Sequence, residues 1–412
     1  MDPLRVLHLT TELPHPMGVS GGSVRQFRLF SALAQLGAEI VVVAPVTKRE
    51  HEELNPEETL RDAGVRLVAT PRRARRELEA AAALVRRPSL ALRASRIPIH
   101  GLQTEMLAID MEGPARGALS QMPDVVTIEH DYAISLADLL PASVPKVLTL
   151  QNVTPEYYRV RAADTRGVQG LVNRRASAMA ERYISARLGQ FRQLIAVSDD
   201  DARLVRKLTS APVSVIPNGT DTAREHQELS RMSGAPPTVL FTGTMNHPPN
   251  HEGALWFHRE IWPLISQAEP EARLVIVGRQ PQEELMRLAQ ADPRVEVTGA
   301  VPDMAPYYER ATVAIAPLRS GSGTRLKILD AFAARRPVVS TTIGCEGLEV
   351  SNDEHLLIAD DPRTFAARTL ELLGDEAHRA RLADAGRRLV AERYDWSALA
   401  AQFEHLLRSA ST

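Results

Sequence analysis

Between Ser320 and Leu348 the chain reads SGSGTRLKILDAFAARRPVVSTTIGCEGL, a run whose residue types suit the binding of a diphosphate. Gly321 and Gly323, with Ser322 between them, let the backbone approach a ligand closely. Thr324 is placed to cap the helix that follows, and the free amides of such a helix start attract anions. Arg325 and Lys327 add two cations beside those amides. Asp330 comes seven residues after Gly323, two turns on, and so shares a helix face with Gly323 and Lys327. A carboxylate there can accept both hydroxyls of a ribose, as acids do in other nucleotide-binding folds. The plainer alternative is an exposed ion pair between Asp330 and Lys327.

A second glycine-rich stretch, GVSGGSVRQF over Gly18–Phe27, follows the first apolar run. Gly21 and Gly22 permit close backbone approach, and Ser23 with Gln26 has the spacing of a capping box. The helix start would seat a phosphate or a carboxylate; the alternative is a tight turn without a ligand. It is no dinucleotide fingerprint, because GxGxxG is missing and Val43–Ala44–Pro45 supplies no acid after the second apolar run. His130 closes the run Val125–Ile128 and is a candidate ligand contact, against the alternative of a structural hydrogen bonder. Glu129, Asn152 and Asn218 also end apolar runs. Asp199–Asp200–Asp201 could suggest a metal site, but after Ser198 three acids read as a capped helix start. Cys345 has no base beside it in sequence and reads as a packing residue.

These residues need a scaffold. Short apolar runs at Val6–Leu9, Ile40–Val43, Val65–Val68, Val125–Ile128, Val147–Leu150, Leu194–Val197 and Val213–Ile216 alternate with helical patterns. The second half repeats this at Val239–Phe241, Leu274–Val277, Val295–Val297, Val313–Ile315, Val338–Val339 and Leu356–Ile358. Nearly continuous apolar runs are what parallel strands covered on both faces require, so an α/β fold of two doubly wound sheets is expected. The polar, then Pro/Gly-rich, stretch after Ile216–Asp221 sets the domains at 1–222 and 236–390. Residues 391–412 form a last amphipathic helix, with Leu399, Phe403 and Leu407 in register, packing back toward the first domain.

The 412 residues carry 49 Lys+Arg against 51 Asp+Glu, so no overall positive field draws nucleic acid. One cysteine rules out an internal disulfide and fits a reducing compartment. The opening MDPLRVLHLTTELP resembles a first strand more than a signal peptide, and no uncharged stretch reaches the ~18 residues that span a bilayer. Cytoplasm is the expected address. Pro71–Arg96 breaks the charge balance with eight Arg against two Glu. Its interleaved apolar residues suggest either a solvated helix face or contact with an anionic acceptor or the inner face of a membrane.

Four stretches of the second half, FTGTMNHPPNHEGALWF (Phe241–Phe257), VIVGRQP, VTGAVPDMAPYY and the Ser320–Leu348 block, together carry a resemblance. They resemble the donor-binding domain of family-four retaining glycosyltransferases of the GT-B fold, and the bacterial exopolysaccharide-associated group above all. In the first half LHLTTELPHP, EHDY, LQNVTPEYY, IAVSDDD and IPNGTD are similar to that group. The resemblance implies two Rossmann-like domains facing each other across a cleft. It also implies sugar transfer from a nucleoside-diphosphate sugar to a glycan, lipid-linked or small-molecule acceptor, with neither cofactor nor metal. Asp330 takes the place of the second glutamate of the family's Glu-x7-Glu motif, which holds the ribose, and the first glutamate falls at Ser322. Gly21, Gly22, Gly243, Ser322, Gly323, Thr324 and Asp330 are then donor-binding. His130 stands where the family has a histidine that touches the sugar or its phosphate. The usual basic residues after the first strand of the domain are replaced by Thr244, Met245 and Asn246, which leaves Arg325 and Lys327 to neutralise the diphosphate. A sugar-nucleotide epimerase and a catalytically silent binding subunit are the alternative functions.

Overall fold

The computed structural model of the chain describes residues 2–16, 20–72, 97–165, 167–222, 235–321 and 325–412. Ser322, Gly323 and Thr324 lie outside the described residues, as does nearly all of the Arg-rich stretch 71–96. The chain divides into two compact units, Met1–Pro217 with Trp396–Thr412, and Asn218–Asp395.

In the first unit seven strands, β1 (Arg5–Leu9), β2 (Glu39–Val46), β3 (Val65–Pro71), β4 (Val125–Glu129), β5 (Lys146–Leu150), β6 (Gln193–Ala196) and β7 (Val213–Val215), form one sheet. Their order is β3-β2-β1-β4-β5-β6-β7, and every pair is parallel. Val6 pairs with Ile40 on one side and Val125 on the other, so the central strand is buried on both faces, as its unbroken apolar run demands. Helices Gly21–Gln35 and Ile99–Leu119 are among those that cover it. The closing helix Trp396–Ser411 belongs to this unit: Phe403 meets Phe30 edge to face at 5.9 Å, in a core that also holds Leu399 and Leu407. Burying each such side chain is worth about 2 kcal/mol.

The second unit has β8 (Thr238–Thr242), β9 (Arg273–Val277), β10 (Val295–Val297), β11 (Val313–Ala316), β12 (Val338–Ser340) and β13 (Leu357–Ile358), in the order β10-β9-β8-β11-β12-β13, again all parallel. Asn218, which the sequence placed with the first domain, opens this unit, and Thr220 is bridged to its far end at Asp395.

In each sheet the strand order reverses once, between β1 and β4 and between β8 and β11. Loops leaving the carboxyl ends of two such strands diverge to opposite faces and leave a crevice between them. Thr10–Glu12 and His130 leave β1 and β4. Gly243–Asn246 and Pro317–Gly321 leave β8 and β11.

Candidate functional site

In the first unit His130 follows β4 directly, with φ at 72°, a left-handed conformation that costs a non-glycine residue energy. Its backbone N–H donates to Thr149 O at 2.8 Å, and its ring stacks on Tyr132 at 4.8 Å and 12°. The ring Nε2 lies 2.8 Å from Oε1 of Glu12, with both side chains nearly buried. Burial alone would neutralise His130; the hydrogen bond and charge of Glu12, with Glu129 and Asp131 on either side, outweigh it and raise its pKa. Burial likewise opposes the charge on Glu12, yet His130 and the Ser20 hydroxyl hold it below its usual range.

A chain of hydrogen bonds explains how the carboxylate stays ionised. Burial pushes His8 down to about 4, so its ring is neutral. Gln26 Nε2 donates to Glu12 Oε1 at 3.0 Å, which turns Gln26 Oε1 toward His8 Nε2 at 2.9 Å. The His8 proton therefore sits on Nε2, and Nδ1 accepts from the Thr127 hydroxyl at 2.8 Å. Ser20 Oγ donates to Glu12 Oε2 at 2.6 Å. Three donors, His130 after β4 and Ser20 and Gln26 at the start of one helix, thus converge on one carboxylate.

The glycine-rich helix start serves this arrangement. Ser20, rather than Ser23, is the N-cap and accepts from Ser23 N at 2.9 Å, so the helix begins at Gly21, earlier than the capping-box spacing implied. Ser23 Oγ instead donates to Leu13 O, and Gln26 reaches Glu12 and His8 rather than the helix cap. A Cβ on Gly22 would lie 2.5 Å from Glu12 Oε1 and 2.7 Å from Gln151 Oε1. The first turn therefore meets an internal carboxylate, one of the two anions that the sequence suggested. Nearby, Gln151 Nε2 donates to the fully buried Glu129 at 2.6 Å, and Asp131 accepts from both Thr154 N and Thr154 Oγ1 at 2.6 Å. Burial raises the pKa of both acids. Asn152 is exposed beside them.

In the second unit Lys327 and Arg325 sit at the start of the helix Leu326–Ala333, which follows the loop from β11. Lys327 Nζ donates to Asn250 Oδ1 at 2.7 Å and stands 4.3 Å from the centre of the Phe241 ring. Among the described residues no carboxylate pairs with it. Burial, with Arg325 nearby, pushes the ammonium down to about 7. Asn250 in turn donates to Thr244 O at 3.0 Å, and a Cβ on Gly243 (φ 156°) would come 2.7 Å from its amide. Gly243 is thus the close approach that fixes Asn250, and through it Lys327. Arg325 is only 7% exposed, donates to Gly321 O at 2.9 Å and Ile343 O at 3.1 Å, and lies 3.7 Å from Glu346. Gly321 adopts φ 103°, which favours glycine. His247 is kept neutral by burial and by the two cations.

Asp330 is exposed, and its Oδ1 accepts from Thr220 Oγ1 at 2.9 Å. Thr220 is itself buried and tied by its N–H to Tyr394 O at 2.7 Å. The ion pair with Lys327 that the sequence offered as an alternative is not formed, since the ammonium turns to Asn250. Sequence reading missed Glu12, Asn250 and Thr220. Glu12 had a signal, an acid in TTELP just past the first strand; Asn250 and Thr220 had none.

Of the two other candidates, Ser198 Oγ accepts from Asp201 N at 3.1 Å, so Asp199–Asp201 form the first turn of a capped helix. Cys345 is buried, and burial raises its thiol pKa.

Residues 19–224, half of the chain, match the family described as Glycosyltransferase Family 4, and residues 236–375 match that described as Glycosyl transferases group 1. The chain is 26% identical over 257 residues to an uncharacterized 44.6 kDa protein in the cps region of Klebsiella pneumoniae. That match takes in 60% of this chain and 65% of the relative's length. Among solved structures it is similar to a sucrose-phosphate synthase from Thermosynechococcus elongatus (TM-score 0.71, 18% identity, 98% of each chain). It is also similar to Anabaena HepE in complex with UDP-glucose (TM-score 0.66, 14% identity, 98% of this chain and 100% of that one). The two parallel, doubly wound sheets are those of the GT-B fold, and the chain belongs to glycosyltransferase family 4.

Proposed function

We propose that the chain is a retaining glycosyltransferase, moving a sugar from a nucleoside-diphosphate sugar to an acceptor hydroxyl in glycan or exopolysaccharide synthesis. The observation that carries this reading is Lys327, an ammonium held by a neutral amide and a ring face beside a second cation. A Lys327 amine with no carboxylate partner among the described residues, at the carboxyl edge of a doubly wound sheet, supports an anionic ligand, and a diphosphate would supply the counter-charge. The UDP-glucose bound to the similar HepE and the cps-region setting of the Klebsiella relative agree with this choice.

In the proposed reaction the bond from the anomeric carbon to the diphosphate oxygen breaks, and its electron pair leaves with the diphosphate. The acceptor oxygen bonds the same carbon, on the same face, and its proton passes to a diphosphate oxygen. Lys327 and Arg325 stabilise the leaving charge, each donor being worth about 3 kcal/mol in the transition state. With two cations supplying charge, a metal has no part in this scheme. Asp330 holds the ribose, Gly243 and the loop 321–324 border the donor, and His130, as an imidazolium, contacts the sugar or its phosphate. The acceptor is a glycan, a lipid-linked or a small molecule. Work in the cytoplasm, with the Arg-rich stretch 71–96 against the inner face of a membrane, fits the same scheme.

The test is a panel of UDP-, GDP- and ADP-sugars. One of them should raise the melting temperature in proportion to its affinity and, with acceptor, release nucleoside diphosphate and give a product of unchanged anomeric configuration. Binding without release from any donor would instead favour a silent binding subunit. An isomerised sugar nucleotide formed without acceptor would favour an epimerase.

A further inference from the structure

Ten large apolar side chains are exposed among the described residues, and Tyr157, Val160, Val168, Leu171 and Val172 lie within sixteen positions of one another. They fall on two helices of the first unit, Thr154–Asp164 and Gly167–Leu188. Asn173 Nδ2 donates to Arg161 O, and Ser177 Oγ donates to Pro155 O, so the two helices run antiparallel as a hairpin whose tip is the end where Thr154–Asp164 gives way to Gly167–Leu188. Each helix buries one stripe: Tyr158 and Ala162 on the first, Gly170, Asn173, Ala180 and Ile184 on the second.

The exposed apolar residues form a second stripe on each helix. Tyr157, Val160 and Arg161 stand at i, i+3 and i+4; Val168, Leu171, Val172 and Arg175 stand at i, i+3, i+4 and i+7. Val168 is 78% exposed, Leu171 63% and Val172 51%, so this stripe contributes nothing to the core. Scattered single apolar residues need no explanation, whereas a contiguous patch marks a contact surface. Its charge is one-sided: Thr154–Leu188 carries seven Arg against Glu156, Asp164 and Glu181. Arg174, Arg175 and Arg182 are exposed and form no ion pair among the described residues. No described helix is long and apolar enough to cross a membrane, so a contact here is made at a surface.

We propose that the tip of the 154–188 hairpin docks on a bilayer surface rich in anionic lipids, with Val168, Leu171 and Val172 entering the headgroup boundary and Arg174 and Arg175 pairing with lipid phosphates. The occupant follows from charge complementarity. An exposed aliphatic stripe followed in sequence by exposed arginines fits a deformable anionic interface, which accepts apolar side chains and pairs the guanidinium groups at once. The surface is distinct in sequence from the Arg-rich stretch 71–96, and the proposal stands whether or not the chain transfers sugar.

The full chain is sedimented with vesicles of phosphatidylglycerol and phosphatidylcholine in equal parts, and with phosphatidylcholine alone. It should bind the anionic vesicles, less at high salt, and ignore the neutral ones. The triple change Val168→Ser, Leu171→Ser, Val172→Ser should lower binding about tenfold, and Arg174→Gln with Arg175→Gln should do the same while flattening the salt dependence. Both variants alter exposed side chains and should keep the melting temperature within about 2 °C. Should the triple variant unfold, the arginine pair decides. Undiminished vesicle binding by the folded variants, or binding lost only when the arginines of 73–96 are neutralised, overturns the proposal. So does a wild-type dimer that the triple variant converts to monomer, which would make a second copy of the chain the occupant.

Discussion

His130 Nε2 and Glu12 Oε1 stand 2.8 Å apart across 118 residues of sequence, joining the ends of the two strands at which the first sheet reverses its order. The pair is buried, and both partners move toward the charged form: His130 upward, Glu12 downward. A histidine in that state offers a donor and a positive charge, while a neutral ring would offer only one of its nitrogens as a donor.

The pair makes a signed prediction for stability. His130 stabilises fully below its ordinary value of 6.5 and loses that contribution as pH rises through its raised one. Glu12 stabilises fully above its ordinary 4.5 and loses it as pH falls through its lowered one. The window of full effect therefore lies between pH 4.5 and 6.5. Glu12→Gln should cost about 2 kcal/mol at pH 6 and clearly less at pH 9, read by urea unfolding. Equal losses at the two pH values would mean that the charges contribute nothing.

Lys327 predicts proton uptake on binding. With its pKa at about 7, the free protein holds the amine largely neutral at pH 8.5, and a bound diphosphate would draw the proton back. Calorimetry with nucleoside diphosphate in buffers of different ionisation enthalpy should report about one proton taken up, the charge of a single ammonium. Lys327→Met should abolish that uptake; if the variant takes up as many protons as the parent, the ammonium is not the group that meets the phosphates.

Asp330 and Arg325 should fail in different ways. Asp330→Ala removes the proposed ribose acceptor from an exposed helix face and should weaken nucleotide binding about tenfold with little change in turnover. Arg325→Ala removes charge and also the brace between Gly321 and Ile343, so turnover should fall further than affinity. Parallel losses in kcat and KM for both variants would contradict this division.

Gly278→Ala tests the packing beneath the loop that leaves β8 at Gly243. A Cβ there would lie 1.5 Å from Gly243 O, a backbone atom that cannot step aside without moving the turn that positions Asn250. A loss of about 3 kcal/mol is expected in thermal unfolding, together with weaker nucleotide binding. A variant as stable as the parent would show that this turn yields freely.

The sequence alone determined the elements. Among the described residues the thirteen strands fall on apolar runs, most plainly the inner ones such as β4 and β5, because a parallel strand covered on both faces has no polar side to hide. The closing helix was legible for a related reason: Leu399, Phe403 and Leu407 repeat at helical spacing, and that stripe is what packs against Phe30. His130, Arg325, Lys327 and Asp330 could be singled out because type and local spacing mark them. Their partners could not be read this way. Glu12 lies 118 residues from His130, Asn250 lies 77 from Lys327, and Thr220 lies 110 from Asp330. Local periodicity carries no information about such pairings; the register of parallel strands and the one reversal of order in each sheet create them. The start of the Gly21–Gln35 helix shows the same limit at short range. Two serines compete to cap it, and Ser20 prevails while Leu13 takes the hydroxyl of Ser23 and Glu12 that of Ser20. Tertiary structure decided which charges meet, and therefore whether His130 keeps a proton and Lys327 gives one up.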